Sequence, residues 1–107
     1  MNEEEIYSVV VDEEGKLRTD ASRLWRYISV DPALWSITNS NKKTKEFWVV
    51  AIVGKMAIWY NHLEEGFVRT TYISWGSLSH YEDAAMSLEY ILEQTLREIE
   101  GETKYSS

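Results

Sequence analysis

The stretch Phe47–Trp75 constrains this chain more than any other, because it is apolar over long runs and broken at two places by glycine turns. Phe47–Val53 is hydrophobic at every position, the pattern of a central strand covered on both faces. Gly54-Lys55 follows, and a type II′ hairpin turn wants glycine at its first central position. Met56–Asn61 then returns, His62–Gly66 turns again, and Phe67–Trp75 runs out as a third strand. The pattern predicts an antiparallel meander. On the third strand Phe67, Arg69, Thr71, Ile73 and Trp75 share one face, and Val68, Thr70, Tyr72 and Ser74 share the other. Neither face is purely apolar, which places that strand near an edge, or leaves one face to solvent or a partner.

The flanks supply the other elements. Ile6–Val11, with three consecutive valines, reads as a strand closed by a polar turn over Asp12–Lys16. Thr19 or Asp20 is suited to cap a helix running to about Ser29, with Leu24, Trp25 and Ile28 inward and Arg18, Arg23 and Arg26 outward. Asp31-Pro32 fits the start of one short helical turn over Ala33–Ile37, which Leu34, Trp35 and Ile37 would pin to the core. Thr38–Lys45 has no apolar residue, and its Lys42, Lys43 and Lys45 make it the most basic spot in the chain, an exposed loop.

Ser79 and Glu82 have capping-box spacing, so a helix is expected from there, with Tyr81, Ala85, Leu88, Leu92, Leu96 and Ile99 as its apolar stripe and Gly101 as its stop. The fold class read from this is α+β: an antiparallel β-meander with short N-terminal helices and a long C-terminal amphipathic helix packed on the sheet. One domain spans residues 1–107, with 1–5 and 102–107 expected to fray.

A chain of 107 residues, 44% hydrophobic, has enough apolar surface for a core without cross-links. It has no cysteine, which removes disulfides, thiolate metal sites and thiol nucleophiles together and fits a reducing compartment such as the cytoplasm. The start carries glutamates where a secretory signal would carry Lys or Arg, and Ile6–Val11 is too short to span a bilayer, so neither membrane nor export is expected. The formal charge of −7 comes from 18 acidic against 11 basic residues. A field of that sign repels phosphate backbones and draws in basic partners, although it also serves plain solubility.

Specific chemistry is sparse. His62 and His80 are expected at opposite ends of the third strand, roughly 25–30 Å apart at about 3.3 Å per residue, which excludes a shared metal or a catalytic pair. There is no Gly-x-Ser-x-Gly elbow and no phosphate-cradling loop. No catalytic residue, metal or cofactor is therefore assigned, although Glu46, Tyr60, Glu65 and Tyr72 are available near the sheet for a site assembled in space. Trp48, Trp59, Tyr60, Tyr72 and Trp75 with Arg69 would suit base stacking, but the charge opposes direct contact with nucleic acid. Acidic residues at Glu3–Glu5, at Asp12–Glu14 and on the last helix form a patch for a basic protein if any two of these regions adjoin.

Tyr60-x3-Glu64-Glu65-Gly66-Phe67, then Thr71-Tyr72, Gly76, Tyr81 and an acidic amphipathic helix, resembles the small α+β immunity proteins that accompany bacterial contact-dependent inhibition and other polymorphic toxins. The resemblance covers Trp59–Leu92. It implies a cytoplasmic, non-enzymatic inhibitor that binds a basic, nuclease-like toxin domain and covers its active surface. From charge and exposure, Glu64, Glu65, Arg69, Tyr72, Trp75, Glu82 and Asp83 are the expected partner-binding residues. Two alternatives stay open: a small enzyme or ligand-binding domain with a pocket between sheet and N-terminal helices, and a self-associating subunit, for instance a homodimer through an edge strand.

Overall fold

The computed structural model describes residues 1–38 and 43–106, the last five without their side chains, and holds among them three helices and five strands. Helix α1 spans Glu3–Glu14, where a strand was expected. Its start is a capping box: the Asn2 side chain accepts from the Glu5 amide at 2.8 Å, and the Glu5 carboxylate accepts from the Asn2 amide at 3.0 Å. Three glutamates in the first turn complement the helix dipole. Ile6 and Val10, four residues apart, are both buried. These local gains and that packed stripe outweigh the strand preference of the three valines, of which Val11 is exposed.

Helix α2, Thr19–Ile28, matches expectation, although Arg18 occupies the cap position and no side chain caps the helix. Ala21, Trp25 and Ile28 form its buried face.

Strand β1, Ser29–Thr38, replaces the helical turn expected after Pro32. Ser29 pairs with Ala51 and Ala33 with Val49, so β1 carries two extra residues between those pairs, and Asp31-Pro32 lies in that irregularity. A proline is tolerated in a strand at such a place because no ladder donor is needed there. Beyond it, Trp35 and Ile37 point inward with period two while Leu34 is exposed.

Strands β2 (Thr44–Val53), β3 (Met56–Asn61) and β4 (Gly66–Ser74) form the expected meander. Gly54 has φ +60° and Lys55 has no positive φ, as a type II′ turn requires. Lys42 lies outside the described residues, and Thr44 and Lys45 already belong to β2.

A fifth strand, β5 (Ser77–Leu78), changes the architecture. It pairs antiparallel with β4 and parallel with β1, closing the sheet into a barrel. In a meander of five strands the first and last run the same way, so closure has to be parallel. The third strand of the meander is therefore not a free edge, and the chain after β5 runs back along it. Ser79 donates its amide to the Thr71 carbonyl at 3.2 Å, and Phe67 and Met86 exchange two backbone bonds of 2.8 Å.

Ser79 is consequently unavailable as a helix cap, because its hydroxyl bonds to Thr71. Helix α3 begins only at Leu88, where Ser87 accepts from the Tyr90 amide at 3.2 Å. Gly101 does not stop it; the helix continues to Ser106.

Two cores result. Phe47, Val49, Ala57, Trp59, Val68 and Leu78, with Trp35 and Ile37, fill the barrel. Val50, Ala51, Ile58 and Phe67 face outward and pack under Ile6, Val10, Trp25, Leu88, Ile91 and Leu92 of the three helices. A register shift between Val49 and Ala51 explains why Val50 and Ala51 both face the helices. The all-apolar run Phe47–Val53 thus serves both cores. Inside the barrel the Trp59 indole N–H donates to the Thr70 hydroxyl at 3.0 Å, so the buried polar tip is satisfied.

Candidate functional site

A cleft of about 570 Å³ opens where α1, the β3–β4 turn and residues 85–87 meet. Asp12 and Glu13 of α1, Glu65 of the turn and Tyr60 line it, with Lys16 the one cation among the described lining residues. The Asp12–Glu14 run and the Glu64-Glu65 turn, far apart in sequence, therefore adjoin in space.

Each wall has a local cause. Glu13 is fixed by two bonds: one carboxylate oxygen accepts the Leu88 amide at 3.3 Å, supplying an N-terminal cap for α3 from another helix, and the other meets Lys16 Nζ at 3.4 Å. Glu65 adopts φ +52°, an uncommon left-handed conformation for a residue with a side chain. Gly66 follows it because space is short: a Cβ there would lie 2.7 Å from the Ala85 Cβ and 3.2 Å from the Met86 amide. The floor is apolar, with Phe67 and Val9, and the Tyr60 ring stacks edge-on against Phe67 at 5.1 Å. Burial, then the charges of Glu65 and Glu13, hold the Tyr60 hydroxyl above the ordinary tyrosine pKa. It stays a proton donor beside carboxylates. Neither Asp12 nor Glu65 makes an ion pair among the described residues.

Asn61 organises the surroundings, and sequence reading gave it no role. Fully buried at the end of β3, it accepts the amides of Leu63 and Glu64 at 3.1 and 3.3 Å. Its side-chain amide donates to the Tyr81 hydroxyl at 3.1 Å and to the Glu82 carbonyl at 2.9 Å. One side chain thus ties the acidic turn to the segment that returns along β4. Asparagine before a polar turn is the signal that could have revealed it.

Of the seven expected partner-binding residues, Glu64 and Glu82 meet the Asn61 side chain through their backbone atoms, with Glu65 and Asp83 next to them in the chain. Tyr72 and Trp75 belong to the opposite end of β4, where the Tyr72 hydroxyl donates to the Gly54 carbonyl at 3.1 Å and both rings pack on Trp35. Arg69 is taken up by α3: it donates to the Thr95 hydroxyl at 2.6 Å and pairs with Glu98 at 2.7 Å, and its side chain is only 15% exposed. It is an anchor for the helix.

The histidine geometry also differs from expectation. Because the chain doubles back after Gly76, Tyr81, the neighbour of His80, returns to the His62 end of the sheet. The Phe47 ring lies 5.2 Å from that of His62 and 5.8 Å from that of Tyr81. Strand length therefore no longer separates the two histidines. Among the described residues no group of three or more His, Asp and Glu is placed to hold a metal ion.

No family model, curated protein or solved structure matches this chain. The chemistry of the cleft has to be read from its own geometry. It favours a cation with a hydrocarbon stem: carboxylates and a phenol for the charge, Phe67, Val9 and Met86 for the methylenes. No helix among the described residues is long and apolar enough to cross a membrane.

Proposed function

We propose that this chain is a cytoplasmic, acidic inhibitor of the immunity type, which neutralises a basic, nuclease-like toxin domain by covering its active surface. The convergence of Asp12, Glu13 and Glu65 on one cleft supports this reading. A lysine or arginine of the partner would enter the cleft, its stem against Phe67 and its charge between the carboxylates, while Glu64, Glu82 and Asp83 extend the negative field around Asn61. Such complementarity accelerates encounter and selects for partners of opposite sign.

The test is binding and inhibition of the toxin domain encoded beside this chain, measured for the native protein and for an Asp12→Lys, Glu65→Lys double variant. Tight binding, rescue of growth, and an association rate at least about ten-fold slower in the variant at low salt are expected. Absence of binding together with absence of rescue overturns the reading.

The same cleft favours one other reading. It lies between the sheet and α1 and brings a tyrosine among three carboxylates, as a small site for a cationic ligand would. Saturable binding of a polyamine such as spermidine, abolished by Glu65→Lys, with no effect on any toxin, would select that alternative.

A further inference from the structure

A second cavity, about 220 Å³, lies at the mouth of the barrel between Ile37, Lys43, Lys45, Phe47 and Tyr81. It is not part of the acidic cleft and shares no residue with it. Its walls are apolar and held in place. Ile37 and Phe47 are buried parts of the barrel core. Phe47, Trp59, His62 and Tyr81 form one aromatic cluster, with Phe47 4.7 Å from Trp59 and Tyr81 6.2 Å from Trp59. The Tyr81 hydroxyl is bonded to Asn61, which leaves the face of the ring, not its polar tip, for the cavity.

The volume corresponds to about seven waters at ~30 Å³ each, but water needs two to four polar partners, and the described lining residues present an almost wholly apolar surface. An apolar body fits better, and the room is that of a single ring. The charge at the rim is positive. Lys45 makes no ion pair among the described residues. The chain's amino terminus is close as well: Trp48 donates to the Met1 carbonyl at 3.2 Å, and the terminal ammonium and Lys45 both act electrostatically on His62. Among the described residues no carboxylate lines the cavity, and that of Glu82, the residue after Tyr81, accepts the Ala84 amide at 3.0 Å.

We propose that the mouth of the barrel is a binding site for a single aromatic ring bearing an anionic group, with the ring against Phe47, Ile37 and Tyr81 and the anion at Lys45. A carboxylate and a phosphate present the same chemistry to a lysine, which acts on either as a point charge. A cation of the same shape would be refused, the reverse of the preference at the acidic cleft. The proposal does not depend on the partner of that cleft.

The experiment is a titration of the full chain followed by nuclear magnetic resonance, with benzoate and phenyl phosphate as ligands and benzyl alcohol and benzylamine as uncharged and cationic controls. Saturable shifts confined to Ile37, Phe47, Tyr81 and their neighbours are expected for at least one of the two anions. Benzyl alcohol should bind about five-fold more weakly and benzylamine more weakly still. Lys45 is exposed, so Lys45→Gln should leave the fold intact by circular dichroism while bringing the anion down to the level of benzyl alcohol. Whichever of the two anions saturates identifies the preferred group. No saturable shift with either anion, equal binding of benzylamine, or full retention of binding in Lys45→Gln overturns the proposal.

Discussion

The acidic cleft and the barrel mouth both border the end of the sheet marked by Asn61, yet they are built in opposite ways. The mouth belongs mainly to the barrel: Ile37 on β1 and Phe47 on β2 are positioned by strand register, and Tyr81, from the segment after β5, is held beside them by Asn61. The cleft is assembled by tertiary docking, because α1, the β3–β4 turn and residues 85–87 meet there without sharing a strand. A site made by register survives as long as the barrel does, whereas a site made by docking depends on a few contacts that hold separate elements together. The two should therefore respond differently to substitution, except at the one residue they share as a support.

That residue is Asn61. Asn61→Ala removes the acceptor for two amides and the donor to the Tyr81 hydroxyl and Glu82 carbonyl, leaving buried polar groups without partners. A loss of about 3 kcal/mol in urea unfolding is expected. Resonances of Glu65 and of Tyr81 should both move, because turn and mouth lose their common tie. If only one region responds, the coupling between them is wrong.

Gly66→Ala is the substitution that should separate them. The new methyl would press on Ala85 and the Met86 amide, so the wall of the cleft has to shift, at a cost of about 2 kcal/mol. Benzoate binding at the mouth should persist. Glu13→Ala is the next smaller change. It withdraws the cap of α3 at Leu88, worth about 1 kcal/mol, and frees Lys16, again on the cleft side alone. Thermal unfolding measures both. A variant that loosens the barrel core as much as the cleft would contradict the division.

Glu65→Gln tests electrostatics and not packing, since Glu65 is exposed and little stability rests on it. Removing its charge takes away one of the influences that raise the Tyr60 pKa, which should fall toward the ordinary tyrosine value in a titration of the ring resonances. A Tyr60 pKa unchanged by the substitution would mean that the carboxylate does not face the hydroxyl.

What was legible in the sequence follows the same division. The strands of the meander, their turn at Gly54 and the two faces of β4 are read from a period of two and a glycine, signals that local chemistry carries. Three readings failed where a competing local signal or a tertiary contact overrode the preference first read. Three valines suggested a strand, although Asn2 and Glu5 already had capping-box spacing and Ile6 and Val10 were four apart, so the helix was visible in a competing signal. Pro32 suggested a helix start, but inward-facing Trp35 and Ile37 make β1 the strand that closes the barrel. Ser79 and Glu82 had the right spacing for a cap, yet Ser79 bonds to Thr71 eight residues earlier, and nothing within its own window announces that. The acidic cleft was half legible. Both acidic runs are plain in the sequence, but their adjacency depends on α1 being a helix that lies beside the β3–β4 turn. Arg69 was read as a binding residue because a charge on a strand looks exposed, whereas α3 covers it.

The smallest expected effect, the pH response of His62, bears most directly on the mouth. Burial first, then the terminal ammonium and Lys45, hold its pKa below the ordinary histidine value. The unfolded chain takes up that proton at about pH 6.5, before the folded one does. The unfolded state therefore binds more protons just below that pH, and unfolding free energy decreases as pH is lowered through that window. The contribution of His62 is complete above about pH 6.5, is lost progressively as pH falls toward the folded pKa, and is constant below it. Stability of the native protein should consequently decline, relative to His62→Gln, as pH falls from above 6.5 toward that lower pKa, and the two should run parallel at higher pH. Lys45→Gln should move the His62 pKa upward and narrow the window, because one of its positive neighbours is gone. Parallel stability curves throughout, or a His62 pKa indifferent to Lys45, would remove the positive field at the mouth and, with it, the contrast in sign with the acidic cleft.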